Sequence, residues 1–267
     1  MSEMMIGVKA IGMAAPGLPS WAEAQAVLRG ESPYHAEELP RYAPSLLPSN
    51  ERRRTTPVGR LAFQSAEEAI GVVNGEASHL ASVFASSGGD TDIVCKICTA
   101  LATEERLVSP TNFHNSVHNA AAGYWSIATG SHGASTSLSA YDGSYVAGLL
   151  EAAVLALGED VDVLLVGYDV QVSEPLHDKR PIDDPFTSAL ILTADIENAP
   201  WRLRLSLSHE GDETVMENAA LEALRQNNPS ARALPLLQVL AAPQGGAVSL
   251  PGVDGLYLNI QIERAQD

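Results

Sequence analysis

The chain has 267 residues and carries 33 acidic against 16 basic side chains, a formal net charge of −17. That length buries a sizeable core in one or two domains, whereas so acidic a surface argues against any face that tracks nucleic-acid phosphates. Aromatic residues make up 5% of the chain, too few for a platform that stacks single-stranded bases.

In chain order, Met5–Met13 reads as a first strand leading into the turn Ala14-Ala15-Pro16-Gly17, and Trp21–Arg29 has helical spacing. Residues 31–58 contain Pro33, Pro40, Pro44, Pro48 and Pro57 and predict a long irregular excursion, in which Arg52, Arg53 and Arg54 form the only basic cluster. Gly59–Val73 is an amphipathic helix by the spacing of Leu61, Ala62, Ala66, Ala69 and Ile70. Ser78–Ser86 reads as a buried strand ended by Ser87-Gly88-Gly89, and Asp90 is placed to cap a helix that runs to Ala102.

That helix holds Cys95 and Cys98. No second pair stands at zinc-ligand spacing, so the expectation is two buried helix residues rather than a metal or redox site. Pro110-Thr111-Asn112 opens a further helix, Phe113–Thr129, stopped by Gly130. Ser135–Ala140 is a short strand, Gly143–Leu157 a helix, Asp162–Tyr168 a strand for a sheet centre, and Thr187–Ala194 another strand.

The alternation through residue 168 predicts a layered α/β domain with a largely parallel sheet. After Trp201 the pattern changes, with strands at Leu203–Leu207, Ala247–Leu250 and Leu256–Ile262 and a helix near Glu213–Gln226. The expected organisation is a domain over 1–195 and a β-rich extension over 196–267 that packs on it. The most apolar stretch, Val146–Leu157, contains Glu151 and is too short for a bilayer. With few cysteines and no leader pattern, a cytoplasmic protein is expected.

Around residue 142 a short strand, a turn of small residues and a helix start follow one another. This is a geometry that presents a catalytic side chain at the positive end of a helix dipole. The turn position holds Asp142. Three roles are open to it: an N-cap for the following helix, a site remnant whose carboxylate closes a cavity by hydrogen bonding, or a nucleophile or base, which the dipole would weaken. Ser144 lacks the glycine two positions earlier that an esterase elbow requires and reads as a first-turn helix serine.

Taken together, these motifs resemble the N-terminal half of β-ketoacyl synthases, condensing enzymes with the thiolase-like α-β-α fold. The residues that carry the likeness are Ile6–Met13 with Pro16-Gly17, Arg53-Arg54 with Leu61-Ala62 and Ala66-Glu67-Glu68-Ala69, Ser86-Ser87-Gly88-Gly89, Asn115–Gly123, and Gly133-Ala134-Ser135. Active members of that family read Asp-Thr-Ala-Cys-Ser-Ser at the elbow, where this chain reads Ser139-Ala140-Tyr141-Asp142-Gly143-Ser144.

The resemblance implies that Asp142 replaces the nucleophile. The family's two catalytic histidines come from a second half, and no histidine here stands in a matching setting after residue 195. The implied protein is a chain length factor of polyketide or aryl polyene type: a non-catalytic subunit paired with a full-length ketosynthase and shaping its acyl tunnel. It implies tunnel or gate positions at Ser87, Ile93, Ile97, Phe113 and Val117. Interface positions follow at His114, His118, Asn119, Ser135, Ser137 and Ser139, with the 135–140 strand pairing against the partner.

His114 and His118, four apart, are expected on one helix face and in a polar interface rather than in a metal site. Cofactors, metals, nucleic acid and membranes are not expected. An acyl carrier protein, itself acidic, is expected to dock on the catalytic partner rather than on this chain. Two other readings are a decarboxylase or hydrolase with an altered site and a homo-oligomeric scaffold.

Overall fold

The computed structural model describes residues 3–73 and 77–265. Its strands are β1 (Met4–Ala14), β2 (Ala81–Ala85), β3 (Ser135–Leu138), β4 (Val163–Asp169), β5 (Phe186–Thr193), β6 (Trp201–Ser208), β7 (Gly246–Pro251) and β8 (Tyr257–Arg264). They form one sheet in the order β3-β2-β4-β5-β1-β6-β8-β7.

The sheet is mixed, not largely parallel: among the described residues only β2–β3 and β2–β4 run parallel, and every other neighbouring pair is antiparallel. The reason lies in the connections. Helices carry the chain back between β2, β3 and β4, whereas β4 reaches β5 through residues 170–185 without one.

Helices cover both faces: α1 (Trp21–Leu28), α2 (Ser49–Arg54), α3 (Pro57–Val72), α4 (Thr91–Leu101), α5 (Pro110–Asn115), α6 (Ala120–Thr129), α7 (Ser144–Glu159), α8 (Ala219–Asn227) and α9 (Leu234–Ala241). Central strands alternate between two cores. Phe84, Leu164, Val166, Tyr168, Ala189 and Ile191 pack with α3 and α6 around Phe63 and Trp125. Val83, Val163, Leu165, Leu190 and Leu192 pack with α1, α7 and the C-terminal helices. This two-sided burial explains why Val163–Val166 shows no polar alternation.

A bulge between Val8 and Ala10 shifts the period of β1 by one residue. Ile6 and Val8 before it and Ile11 and Met13 after it consequently all join one core. At Gly12 a Cβ would stand 2.0 Å from the Ser65 carbonyl oxygen, so only glycine lets α3 lie so close to β1.

The excursion after α1 is less irregular than its prolines suggest, because the arginine cluster Arg52–Arg54 lies on α2. Two adjacent glutamates of α3 anchor the approaches to it. Glu67 accepts from the Tyr42 hydroxyl, the Ser45 hydroxyl and the Ser45 and Leu46 amides. Glu68 accepts from Met13 N and Trp21 N, tying the end of β1 and the start of α1 to α3.

The C-terminal segment extends the same sheet, since β6 pairs with β1, and it supplies α8, a 3-10 turn at Ser230–Ala233 and α9 to the core that α7 shares. Its helix begins at Ala219 rather than near Glu213, because residues 213–216 form a strap. Thr214 N donates to Ser249 O, and Ser249 N to Thr214 Oγ1. α9 has a sequence signal of its own, with Leu234, Leu236, Leu237 and Leu240 at helical spacing and Pro235 in the first turn.

Candidate functional site

The elbow lies where β3 ends and α7 begins. Tyr141 has φ +51, a left-handed backbone that costs a bulky residue energy and persists only when its surroundings enforce it. Ser144 provides that enforcement: its hydroxyl accepts from Ala140 N at 2.9 Å and donates to Tyr141 O at 2.7 Å. Both hydrogen-bonding roles are thereby used in a fully buried side chain. The Ser144→Ala variant is expected to lose about 1–2 kcal/mol, read from urea unfolding, the usual cost of a lost cap or buried hydrogen bond.

Asp142 does not cap α7. The N-cap is Gly143, with no side-chain cap bond, and Asp142 instead sits in the preceding 3-10 turn facing two arginines. Its Oδ1 lies 2.6 Å from Arg180 Nη1 and its Oδ2 3.0 Å from Arg232 Nη2. The Arg180 guanidinium also lies over the Tyr141 ring, 3.8 Å from its centroid, a cation–π contact. Gly143 allows the β7–β8 turn to close on the elbow, since a Cβ there would meet Val253 Cγ1 at 2.9 Å.

Near the elbow lies a polar knot that no sequence motif announces. Asp169, at the end of β4, is 3% exposed. Its Oδ1 accepts from Ser86 Oγ, Ser87 N and Ser87 Oγ, and its Oδ2 from Ser230 Oγ at 2.7 Å. Burial raises the Asp169 carboxyl above its ordinary value, and the serine hydrogen bonds oppose that rise. Asn228 Nδ2 donates to the carbonyls of Asp169 and Asp184, while its Oδ1 accepts from Ser230 N and Ala231 N. The segment 228–231 is thus bonded to the sheet end that carries the glycine turn.

Ser87 and Ser139 meet in this knot, the Ser139 hydroxyl donating to Ser87 O at 2.9 Å. The predicted helix over 113–129 is broken: α5 ends at Asn115 and α6 starts at Ala120. Side chains compete with the helical ladder there. Asn115 Nδ2 donates to Thr111 O and Arg54 O, and Ser116 Oγ donates to Phe113 O.

His114 and His118 therefore do not share a helix face. His114 meets the Tyr124 ring edge-on at 6.0 Å, and His118 Nε2 lies 3.0 Å from Ser86 O. Phe113 and Val117 are 69% and 52% exposed, whereas Ile93 is buried and Ile97 half-buried on α4. The cysteines of α4 are not buried: Cys95 is half-buried and Cys98 exposed, because α4 turns only Ile93 fully inward.

His118, Asn119, Ser135 and Ser137 do come together, lining a surface hollow of about 470 Å³ with Ala122, Gly123 and Ser126. β3 forms its wall and, among the described residues, is an edge strand paired on one side only, by β2. Among the described residues no three of His, Cys, Asp and Glu converge on a common point, and no helix is long and apolar enough to cross a membrane.

An elbow between strand and helix, above a mixed sheet with helices on both faces, defines a thiolase-like α/β subunit of ketosynthase type. The family model of the β-ketoacyl synthase N-terminal domain matches residues 21–249, and the chain belongs to that family. No curated protein sequence matches it.

Among solved structures, one similar chain comes from the complex of the ketosynthase ApeO with its chain length factor ApeC from Xenorhabdus doucetiae. It is 24% identical with a TM-score of 0.71, and the match covers 97% of this chain and 99% of that one. The ishigamide ketosynthase/chain length factor gives 12% identity and a TM-score of 0.72 over 98% and 100%. A type II polyketide synthase acyl-carrier protein in complex with its ketosynthase gives 10% and 0.74 over 99% and 100%. At these identities the likeness is one of fold.

Proposed function

We propose that this chain is a non-catalytic chain length factor. It pairs with a full-length ketosynthase and shapes the tunnel that receives the growing acyl chain, in aryl polyene or related polyketide or fatty-acid-type biosynthesis. The observation that carries the reading is the elbow itself. Where active family members present a cysteine, this chain presents a carboxylate bound on each oxygen by a guanidinium. A carboxylate held in two ion pairs is a poor nucleophile.

The open edge of β3 beside the hollow at His118 and Asn119 supports the pairing, because an unpaired strand edge is a template for another chain. The neighbouring solved chains named for ketosynthase–chain length factor complexes support it as well. The tunnel wall on this side is formed by Ile93 and Ile97 of α4 with Phe113 and Val117 from α5 and the break after it. The net charge of −17 directs an acidic acyl carrier protein to the partner.

Co-expression with a full-length ketosynthase from the same source, followed by copurification and product mass analysis, tests the reading. The expected result is a one-to-one complex whose products shorten when Ile97 or Val117 is replaced by tryptophan. A homodimer that ignores the ketosynthase, or a complex whose product length is unmoved by both substitutions, overturns it.

A further inference from the structure

The arginines at the elbow have a geometry of their own. Arg180 reaches Asp142 from the 170–185 loop and Arg232 from the 3-10 turn after α8, one guanidinium for each carboxylate oxygen. Arg232 Nη2 donates to Asp142 Oδ2 at 3.0 Å and Arg180 Nη1 stands 2.6 Å from Oδ1 as an ion pair, so two guanidiniums converge on one planar carboxylate. No other carboxylate pairs with either of them among the described residues. The cluster therefore holds one positive charge more than it balances, in a chain whose net charge is −17.

Arg180 Nη2 is buried without a hydrogen-bond partner among the described residues. The donor set is thus larger than the one carboxylate that fills it. The left-handed Tyr141 holds its ring under Arg180, so the receptor is fixed by the elbow turn as well as by the ion pairs.

We propose that Arg180 and Arg232 form a carboxylate-binding site whose resident ligand is the chain's own Asp142. The occupant closes the elbow to a carboxylate from outside. It also joins three stretches of chain distant in sequence, the elbow, the 170–185 loop and the segment after α8. Removing the Asp142 side chain opens a vacancy lined by both guanidiniums, and the ligand class that fits it is a small monocarboxylate such as formate or acetate.

The test uses the isolated full chain, so it is independent of any ketosynthase and its failure is distinguishable from failure of the heterodimer. Asp142→Ala is melted in sodium formate and in sodium chloride at equal ionic strength, beside the wild type. In chloride the variant is expected to melt roughly 5 °C below the wild type, as loss of a partly buried ion-pair cluster requires. Formate is expected to restore most of that loss with a saturable dependence, while the wild type melts alike in both salts.

Adding Arg180→Ala and Arg232→Ala to the variant is expected to abolish the restoration. Equal formate shifts in variant and wild type, or restoration that survives loss of both arginines, overturns the proposal. If Asp142→Ala does not fold in chloride, its refolding yield from urea is compared in the two salts. A higher yield in formate supports the site, and equal yields overturn it.

Discussion

Replacing Asp169 by alanine is expected to lower the unfolding free energy by roughly 3–5 kcal/mol, because several buried donors lose one shared acceptor at once. The physical cause is what remains. Ser86 Oγ, Ser87 N, Ser87 Oγ and Ser230 Oγ all lose their acceptor inside the fold, and each unmet buried donor costs about 1–3 kcal/mol before the hydroxyls turn to other partners. The damage is directional. The segment 228–231 is held at the sheet end by the Ser230–Asp169 bond and by Asn228 on the Asp169 and Asp184 carbonyls.

Amide exchange is accordingly expected to accelerate first in residues 228–241 and only later in β4 and β5, whose cores are fully buried. Asp169→Asn separates charge from shape. Its oxygen can keep the Ser87 bonds while its amide donates to the Ser230 hydroxyl, so the loss is expected to be about 1–2 kcal/mol. The pH dependence carries the sign. Because the folded carboxyl binds its proton more tightly than the unfolded one, this group adds stability as pH falls through its raised value, and the asparagine variant removes that gain. Urea unfolding of both variants across pH 3–7 reads it, and an alanine variant as stable as wild type would show that the knot holds nothing.

The sequence made the layered α/β architecture legible because its signals are local. The Val163–Val166 run, the amphipathic α3 and the Asp90 cap each depend on a few neighbouring residues, and each is found where those residues place it. What was hidden depends on residues far apart in the chain. The direction of β5 follows from a helix-free connection, and the bulge in β1 shows only when Lys9 is seen displaced between two apolar pairs of like orientation.

The same holds at the site. The position of the elbow was readable from small residues before a helix, but its chemistry was not, since Arg180 and Arg232 stand 38 and 90 residues away from Asp142. Helix-cap preference favoured Asp142 as a cap, and two guanidiniums outcompeted the helix dipole for its carboxylate. The Ser230–Asp169 bond spans 61 residues and has no motif at all.

Loss of Arg225 is expected to be comparably severe, about 3–5 kcal/mol for Arg225→Ala, because it strands the carboxylates that the arginine neutralises. Arg225 is 2% exposed and makes a bidentate pair with Glu222, Nε to Oε2 and Nη2 to Oε1 at 2.7 Å each, while Nη1 reaches Glu213 at 3.0 Å. Glu222 also accepts from Met216 N, so this one cluster fastens the 213–216 strap along the outer edge of β7. The hydrogen bond to Arg225 holds the Glu222 carboxyl down to about 2, against an ordinary 4.5.

A carboxyl depressed in this way contributes stability that is whole above its unfolded value. It is lost as pH falls from about 4.5 toward 2. Wild type is therefore expected to lose stability through that window, and Arg225→Met, which preserves bulk but not charge, to show a flatter profile from a lower plateau. The strap gives a second readout. With it released, the β7 edge presents unpaired backbone groups to other molecules. Light scattering of Arg225→Ala at native pH is then expected to rise with concentration more steeply than that of wild type before the sheet unfolds, and a variant that scatters like wild type and keeps the wild-type acid profile would show that the strap is held by Thr214 and Ser249 alone.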